Sequence, residues 1–328
     1  MKQVRFFNPG KAYLKIKPEI DAAIERVLTN GDLILRDEVE QFEKSLAEFV
    51  GTKYAVALNS GTDALYLALK AVGVKTGDRV AVPSHTFVAT AQVVAQIGAE
   101  PILFDMGEGP ENTPVKMVAH IAGELSPIPE GIVIEDACQA LGAVKNPRTA
   151  AQCWSFYPAK ILGAYGDAGG LTTNDEAIYD YVKEARNHFK TDYSQWGINS
   201  RLDNLQAAVL NVKMRYLQQT LARRQEIAER YAGGLVDLVL DNHIKIPTLG
   251  RGRVFQDYII RTDRRDELYD FLKANGVETM KNEYPFPIQK GEKSLQYEAE
   301  TLRLPINEIL EDEEIDYVIE KVKAFYGA

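Results

Sequence analysis

The segment SFYPAKILGAYGDAGG, residues 155–170, holds one lysine among small, aromatic and glycine residues. Lys160 is the only lysine between Lys145 and Lys183, so any amine chemistry in this stretch has a single candidate. Two earlier segments offer groups that could work with it. In NSGTDAL (59–65), Gly61 lets the backbone turn closely and Thr62 offers a hydroxyl. A helix starting there presents free N–H groups and the positive end of its dipole, which is a seat for a phosphate. Taken alone, Ser60 or Thr62 reads first as an ordinary helix N-cap. GIVIED (131–136) ends in Asp136, with Gln139 three residues on and on the same face if a helical turn begins there. On its own, Asp136 is equally a helix-capping acid. Phosphate seat, carboxylate and isolated lysine, in that chain order, are the parts that pyridoxal phosphate needs: an amine to carry it and an acid to protonate its pyridine nitrogen.

The chain pattern supplies elements to position these groups. Residues 18–30 and 36–50 read as amphipathic helices, the second with Val39, Phe42, Leu46, Phe49 and Val50 on one face. KYAVALN (53–59), DRVAVPS (78–84), EPILFD (100–105) and GIVIED read as short apolar strands, with helices at 62–74 and 87–98. Strands nearly continuous in apolar character, alternating with helices, predict an α/β fold with a mostly parallel central sheet covered on both faces. In such sheets ligands bind outside the carboxyl ends of the strands, where Asp136, the 59–65 segment and the Ser155–Lys160 segment fall. Gly163, Gly166, Gly169 and Gly170 read as a loose loop beyond the lysine. Residues 200–233 read as one long helix ended by Gly233 and Gly234, followed by apolar pieces such as 254–260 and helices at 264–275 and 312–326. The expectation is a large domain over 1–215, with an N-terminal arm, and a smaller C-terminal α+β domain over 216–328.

Of the 328 residues, 45% are hydrophobic and 26% charged, the balance of a globular chain rather than a disordered one. A net charge of −9 opposes a nucleic-acid partner, and the densest basic cluster, Arg261, Arg264 and Arg265, is diluted by Asp263, Asp266 and Glu267. Cys138 and Cys153 cannot form a disulfide framework, and the scattered histidines lack metal-site spacing, so a reducing, cytoplasmic setting without metal is expected. No run approaches the roughly 18 apolar residues of a membrane span, and the N-terminus lacks a signal-peptide pattern. Neither G-x-G-x-x-G nor G-x-x-x-x-G-K-[ST] occurs, so a dinucleotide fold or P-loop is not supported.

Over nearly its whole length the sequence resembles the DegT/DnrJ/EryC1/StrS sugar aminotransferases of fold type I. NSGTDAL, VPSHTFVATAQVVAQIGAEPILFD, EDACQALGA, SFYPAKILGAYGDAGG, GINSRLDNLQAA and EYPFPI carry the resemblance, in the family's order. It implies pyridoxal phosphate held on Lys160, Asp136 paired with the pyridinium nitrogen, and Gln139 donating to the phenolic oxygen. It also implies Phe87 stacked on the ring and Gly61, Thr62, Asp63 and Ser155 around the phosphate. By the same resemblance Asn199 and Arg201 reach into a neighbouring subunit's site in a homodimer, and Tyr284 and His188 face substrate. Read alone, His188 is as readily structural, and Phe87 is more often core than a stacking ring. The implied reaction moves an amino group from glutamate to a keto sugar carried on a nucleotide, for amino-sugar and polysaccharide biosynthesis; the GTDAL form resembles members that aminate C3 of a 3-keto hexose. Family dehydratases carry histidine in place of the lysine, so Lys160 argues against that reaction, and a non-catalytic regulator would leave the Lys160–Asp136 pair idle. The chain departs from the family pattern in the short stretch between Asp105 and Asp136, in Phe189 for the glycine of RNHG, and in Glu283 and Gln289 where HYP.P.H has histidines.

Overall fold

The protein is described by a computed structural model covering residues 2–110, 112–250 and 252–327. Helices α1 (Pro9–Lys15), α2 (Lys17–Asn30) and α3 (Asp37–Val50) precede an alternating run. It comprises β1 (Tyr54–Leu58), α4 (Gly61–Ala71), β2 (Arg79–Pro83), α5 (Ala89–Gln96), β3 (Glu100–Phe104), β4 (Val115–Ala119), β5 (Ile132–Asp136), β6 (Ala151–Ser155) and β7 (Gly169–Thr173). The chain continues through α6 (Glu176–Ala185), α7 (Asn204–Met214), α8 (Leu217–Gly234), α9 (Val236–Leu240), β8 (Tyr258–Arg261) and α10 (Arg265–Ala274). It ends with β9 (Met280–Lys281), α11 (Glu292–Glu300), β10 (Thr301–Leu304) and α12 (Asp312–Tyr326).

The first seven strands form one sheet in the order β1-β7-β6-β5-β4-β2-β3, parallel except for β7, which runs against both neighbours. Both faces are covered. Val56 and Leu58 pack into a core with α4, α5 and α6, while the alternate Ala55 and Ala57 pack against α3 and α7. Burial on both sides is why these strands read as unbroken apolar runs instead of alternating ones.

Two sequence expectations change. Gly169 and Gly170 are not loop residues but open β7, paired with Leu58 and Ala57. A Cβ on Gly169 would run into the backbone of Ser60, so these glycines serve close packing and not looseness. The expected long helix is broken at Arg215 and Tyr216, whose N–H groups bond three residues back, to Val212 and Lys213, while both side chains anchor on Glu19 of α2. Apolar periodicity carries on through such a tightened turn and does not register it. The helix ends at Gly234, where the glycine pair placed its end.

The second sheet is antiparallel, β8-β10-β9, with α8, α10 and α12 packed around Tyr258, Ile260, Leu302 and Leu304. Val4 joins this core and bridges to Val277, so the start of the chain returns to the C-terminal part. Asp105, just after β3, ties the two parts together by accepting from the backbone N–H of Lys293 and Ser294 at 2.9 and 3.0 Å in the first turn of α11.

Candidate active site

β1 leads to Ser60, whose extended backbone and side chain cap α4, accepting from the Asp63 N–H at 3.0 Å. Ser60 is thus the N-cap, and Thr62 lies in the first turn. Gly61 is the first helical residue because little else fits: a Cβ would lie 2.8 Å from Cys138 Sγ and 3.0 Å from Ser155 Cβ. Glycine at 61 and 169 therefore presses the helix N-terminus onto the ends of β6 and β7.

Asp136 closes β5 and is buried. Its Oδ2 accepts from Thr90 Oγ1 at 2.7 Å and its Oδ1 from Cys138 N at 3.3 Å, and Thr90 Oγ1 lies 2.8 Å from Thr86 Oγ1. Among the described residues no cation pairs with this carboxylate. A buried acid without a cation is costly, so the arrangement suits a ligand that brings positive charge.

Gln139 Oε1 accepts from Ala122 N at 2.7 Å, which turns the amide so that Nε2 faces the Tyr284 hydroxyl at 3.5 Å. Ala122 and Gly123 hold left-handed backbone angles, φ 55° and 85°, to make that contact. The Tyr284 oxygen also accepts from Arg303 Nη2 at 2.8 Å. Burial pushes the Tyr284 phenol up to about 12, against the pull of Arg303, so it keeps its proton and can donate it.

Lys160 sits in the connection between β6 and β7, a loop closed by bonds from Phe156 N to Ala168 O and from Ala164 N to Phe156 O, each 2.8 Å. Gln256, just before β8, brackets it: Oε1 accepts from Ile161 N and Nε2 donates to Ala159 O, each at 3.0 Å. The backbone on both sides of the lysine is thereby fixed, while its amine makes no hydrogen bond or ion pair among the described residues.

One cavity of about 560 Å³ collects these groups. Of the residues singled out from the sequence, Gly61, Thr62, Phe87, Asp136, Gln139, Ser155, Lys160 and Tyr284 line it. Phe87 is 55% exposed and belongs to the cavity wall, not the core. A smaller cavity of about 260 Å³ also touches Lys160 but includes neither Asp136 nor the start of α4, so these groups converge only in the larger one.

Asp63, His188, Asn199 and Arg201 do not line the larger cavity. The Asp63 carboxylate accepts from Ser200 Oγ at 2.6 Å, and Ser200 Oγ accepts from Asn59 N at 3.2 Å, tying the 199–201 segment to the start of α4. Asn199 bridges to Asn187, whose Oδ1 accepts from Arg201 Nη1 at 3.0 Å. His188 is exposed with φ 65°, and the next residue, Phe189, is buried against Tyr181. Asn199, Arg201 and His188 thus share one stretch of chain outside this cavity.

Sequence reasoning missed Thr90, Gln256 and Arg303. Two of them left a signal: Thr90 is a polar residue inside an apolar helix, and Gln256 and Asp257 interrupt the apolar run VFQDYII.

A family model described as the DegT/DnrJ/EryC1/StrS aminotransferase family matches residues 14–122 and 124–323. The chain is 35% identical to the UDP-2-acetamido-2-deoxy-3-oxo-D-glucuronate aminotransferase of Pseudomonas aeruginosa, over 88% of each chain. It is 34% identical to the dTDP-3-amino-3,4,6-trideoxy-alpha-D-glucose transaminase of Streptomyces venezuelae, over 98% of this chain and 96% of that one. It is also 34% identical, over 98% of each chain, to a Geobacillus stearothermophilus protein named pleiotropic regulatory protein. The crystal structure of S. venezuelae DesV in complex with a ketimine intermediate matches with TM-score 0.91 at 31% identity, covering 100% of both chains.

Proposed function

The chain belongs to the DegT/DnrJ/EryC1/StrS aminotransferase family, and from that premise we propose that it transfers an amino group from glutamate to a nucleotide-linked 3-keto hexose. Pyridoxal phosphate is the cofactor, and the residues fit it. An amine and a buried carboxylate that have no ionic partner among the described residues line the same cavity as a helix N-terminus, and that conjunction carries the reading.

Each residue then has a task. The start of α4, with Thr62 and Ser155 beside it, holds the phosphate through N–H and hydroxyl donors. Asp136 keeps a proton on the pyridine nitrogen, and Gln139, its amide fixed by Ala122, turns N–H toward the phenolic oxygen. Phe87 covers one ring face. When bound, the cofactor supplies an electron sink for the substrate carbon that loses its proton. Lys160 would hold the cofactor covalently, and its amine would serve as the base that moves that proton. A regulator without turnover would have no use for this lysine and acid together.

Loading the protein with pyridoxamine phosphate and adding keto sugar nucleotides is expected to restore the absorbance of the lysine-bound cofactor, and borohydride is then expected to fix a pyridoxyl group on Lys160. Label on another residue, or no spectral change with any keto sugar, sinks the assignment.

The reading includes a homodimer in which Asn199, Arg201 and His188, absent from their own cavity, complete the partner's site, Arg201 gripping a carboxylate. Residues 1–215 are then the cofactor-holding domain and 216–328 the smaller one, in a protein whose two free cysteines suit the reducing cytoplasm. Mixing inactive Lys160→Ala and Arg201→Ala chains under subunit exchange is expected to restore activity, since some hybrids carry both lesions in one site. Confirmed exchange without activity would mean that both residues serve the same site from one chain.

A further inference from the structure

The cavity wall supplied by the C-terminal part carries its charges in a definite order. Each cation there is already matched among the described residues. Lys281 Nζ lies 2.6 Å from Asp266 Oδ1, and Arg303 is occupied by Asn282 Oδ1, the Tyr284 hydroxyl and Asp257 Oδ2. Arg265 Nη1 lies 2.8 Å from Glu283 Oε1. In that last pair the guanidinium is the inner partner, its side chain 10% exposed, and the carboxylate the outer one at 54%. Glu283 lines the cavity and Arg265 does not. A ligand approaching this wall therefore meets the negative end of the pair, and the second oxygen of Glu283 accepts no hydrogen bond among the described residues.

An oxygen acceptor at the mouth of a sugar site recognises a hydroxyl. With no unmatched cation in this wall to offset the carboxylate, the same oxygen repels an anionic substituent. We propose that Glu283 determines which sugar the site accepts, taking a hydrogen bond from a hydroxyl of a hexose whose ring carries no carboxylate or phosphate, and disfavouring hexuronates and sugar phosphates. The inference rests on the aminotransferase reading of this cavity and narrows its substrate class.

The test uses the holoenzyme and matched 3-amino-3-deoxyhexose nucleotides that differ only at C6, hydroxymethyl against carboxylate, in both a UDP and a dTDP series. Conversion of the cofactor absorbance is followed in single turnovers over a range of sugar concentrations. Wild type is expected to favour the hydroxymethyl sugar by at least ~10-fold in apparent dissociation constant, with little change in the limiting rate. Glu283→Asp keeps the preference, Glu283→Gln narrows it to within about threefold, and Glu283→Lys reverses it. Arg265 is nearly buried behind Glu283, so Glu283→Asp is expected to keep the wild-type melting temperature while Glu283→Gln and Glu283→Lys lower it modestly, and the ratio between the two sugars is read within each variant. A wild type that takes the uronate as well as the neutral sugar overturns the proposal, as does a Gln variant with the wild-type ratio. If neither sugar in either series converts the cofactor, the aminotransferase reading fails and this inference with it.

Discussion

The Asp136 carboxylate is buried at the end of β5, with the Thr90 hydroxyl and the Cys138 N–H as its hydrogen-bond donors. The Thr90 side chain is fully buried, its hydroxyl is itself fixed by Thr86, and it does not line the cavity, so it acts on the site through the carboxylate. A hydrogen bond to a charged group is worth about 1.5–3 kcal/mol, and valine keeps the shape of threonine while removing it. Thr90→Val is therefore expected to weaken cofactor binding by roughly tenfold or more in a spectral titration of the apoprotein. Transamination should fall with it, while the thermal midpoint moves little. Wild-type cofactor affinity in this variant would show that Asp136 is positioned by the strand alone. Asp63 teaches the complementary lesson at this scale, since its place in NSGTDAL suggested a phosphate contact and its carboxylate instead secures Ser200.

The loop that carries Lys160 is held in place by another element. Gln256 satisfies both the Ala159 carbonyl and the Ile161 N–H, and it comes from the segment leading into β8. Gln256→Leu removes both partners and leaves two backbone groups unmatched, each costing about 1–3 kcal/mol where water cannot replace the bond. Faster hydrogen exchange at the Ile161 amide is expected, together with slower borohydride fixation of the cofactor on Lys160. Unchanged exchange at that amide would mean that the loop's own bonds suffice. The strands and most helices were readable because each carries its own apolar pattern. The reversal of β7 was not, because GGLTT has almost no apolar pattern and its place is set by close backbone packing between Leu58 and Ser155.

Across the whole molecule, Asp105 joins the sheet that ends at the cavity to α11 in the C-terminal part. Burial alone would raise its carboxyl, but bonds from Ser294 Oγ and from the Met106, Lys293 and Ser294 N–H groups bring it down to about 2. A carboxyl lowered in the fold stabilises the native state above its unfolded value of about 3.9, and this contribution is lost as pH falls through the folded value near 2. Partial exposure limits it to the order of 1 kcal/mol. Urea midpoints taken from pH 5 down to pH 2 should therefore fall more steeply for wild type than for Asp105→Asn, and parallel curves would remove Asp105 from the account. The sequence by itself determined the α/β class, the family, and the identity of Lys160, Asp136 and Gly61. Strand periodicity, a glycine at a strand-to-helix turn and a lone amine are properties of short stretches of chain, whereas the contacts of Gly61 with Cys138 and Ser155 are not. Only the tertiary structure decided that Gln256 brackets Lys160 through bonds to Ala159 and Ile161, 97 and 95 residues away, that Arg303 and Gln139 both address Tyr284, and that Glu283 stands in front of Arg265. Which polar group finds which depends on distances through space, and packing of the two sheets and their helices sets those distances.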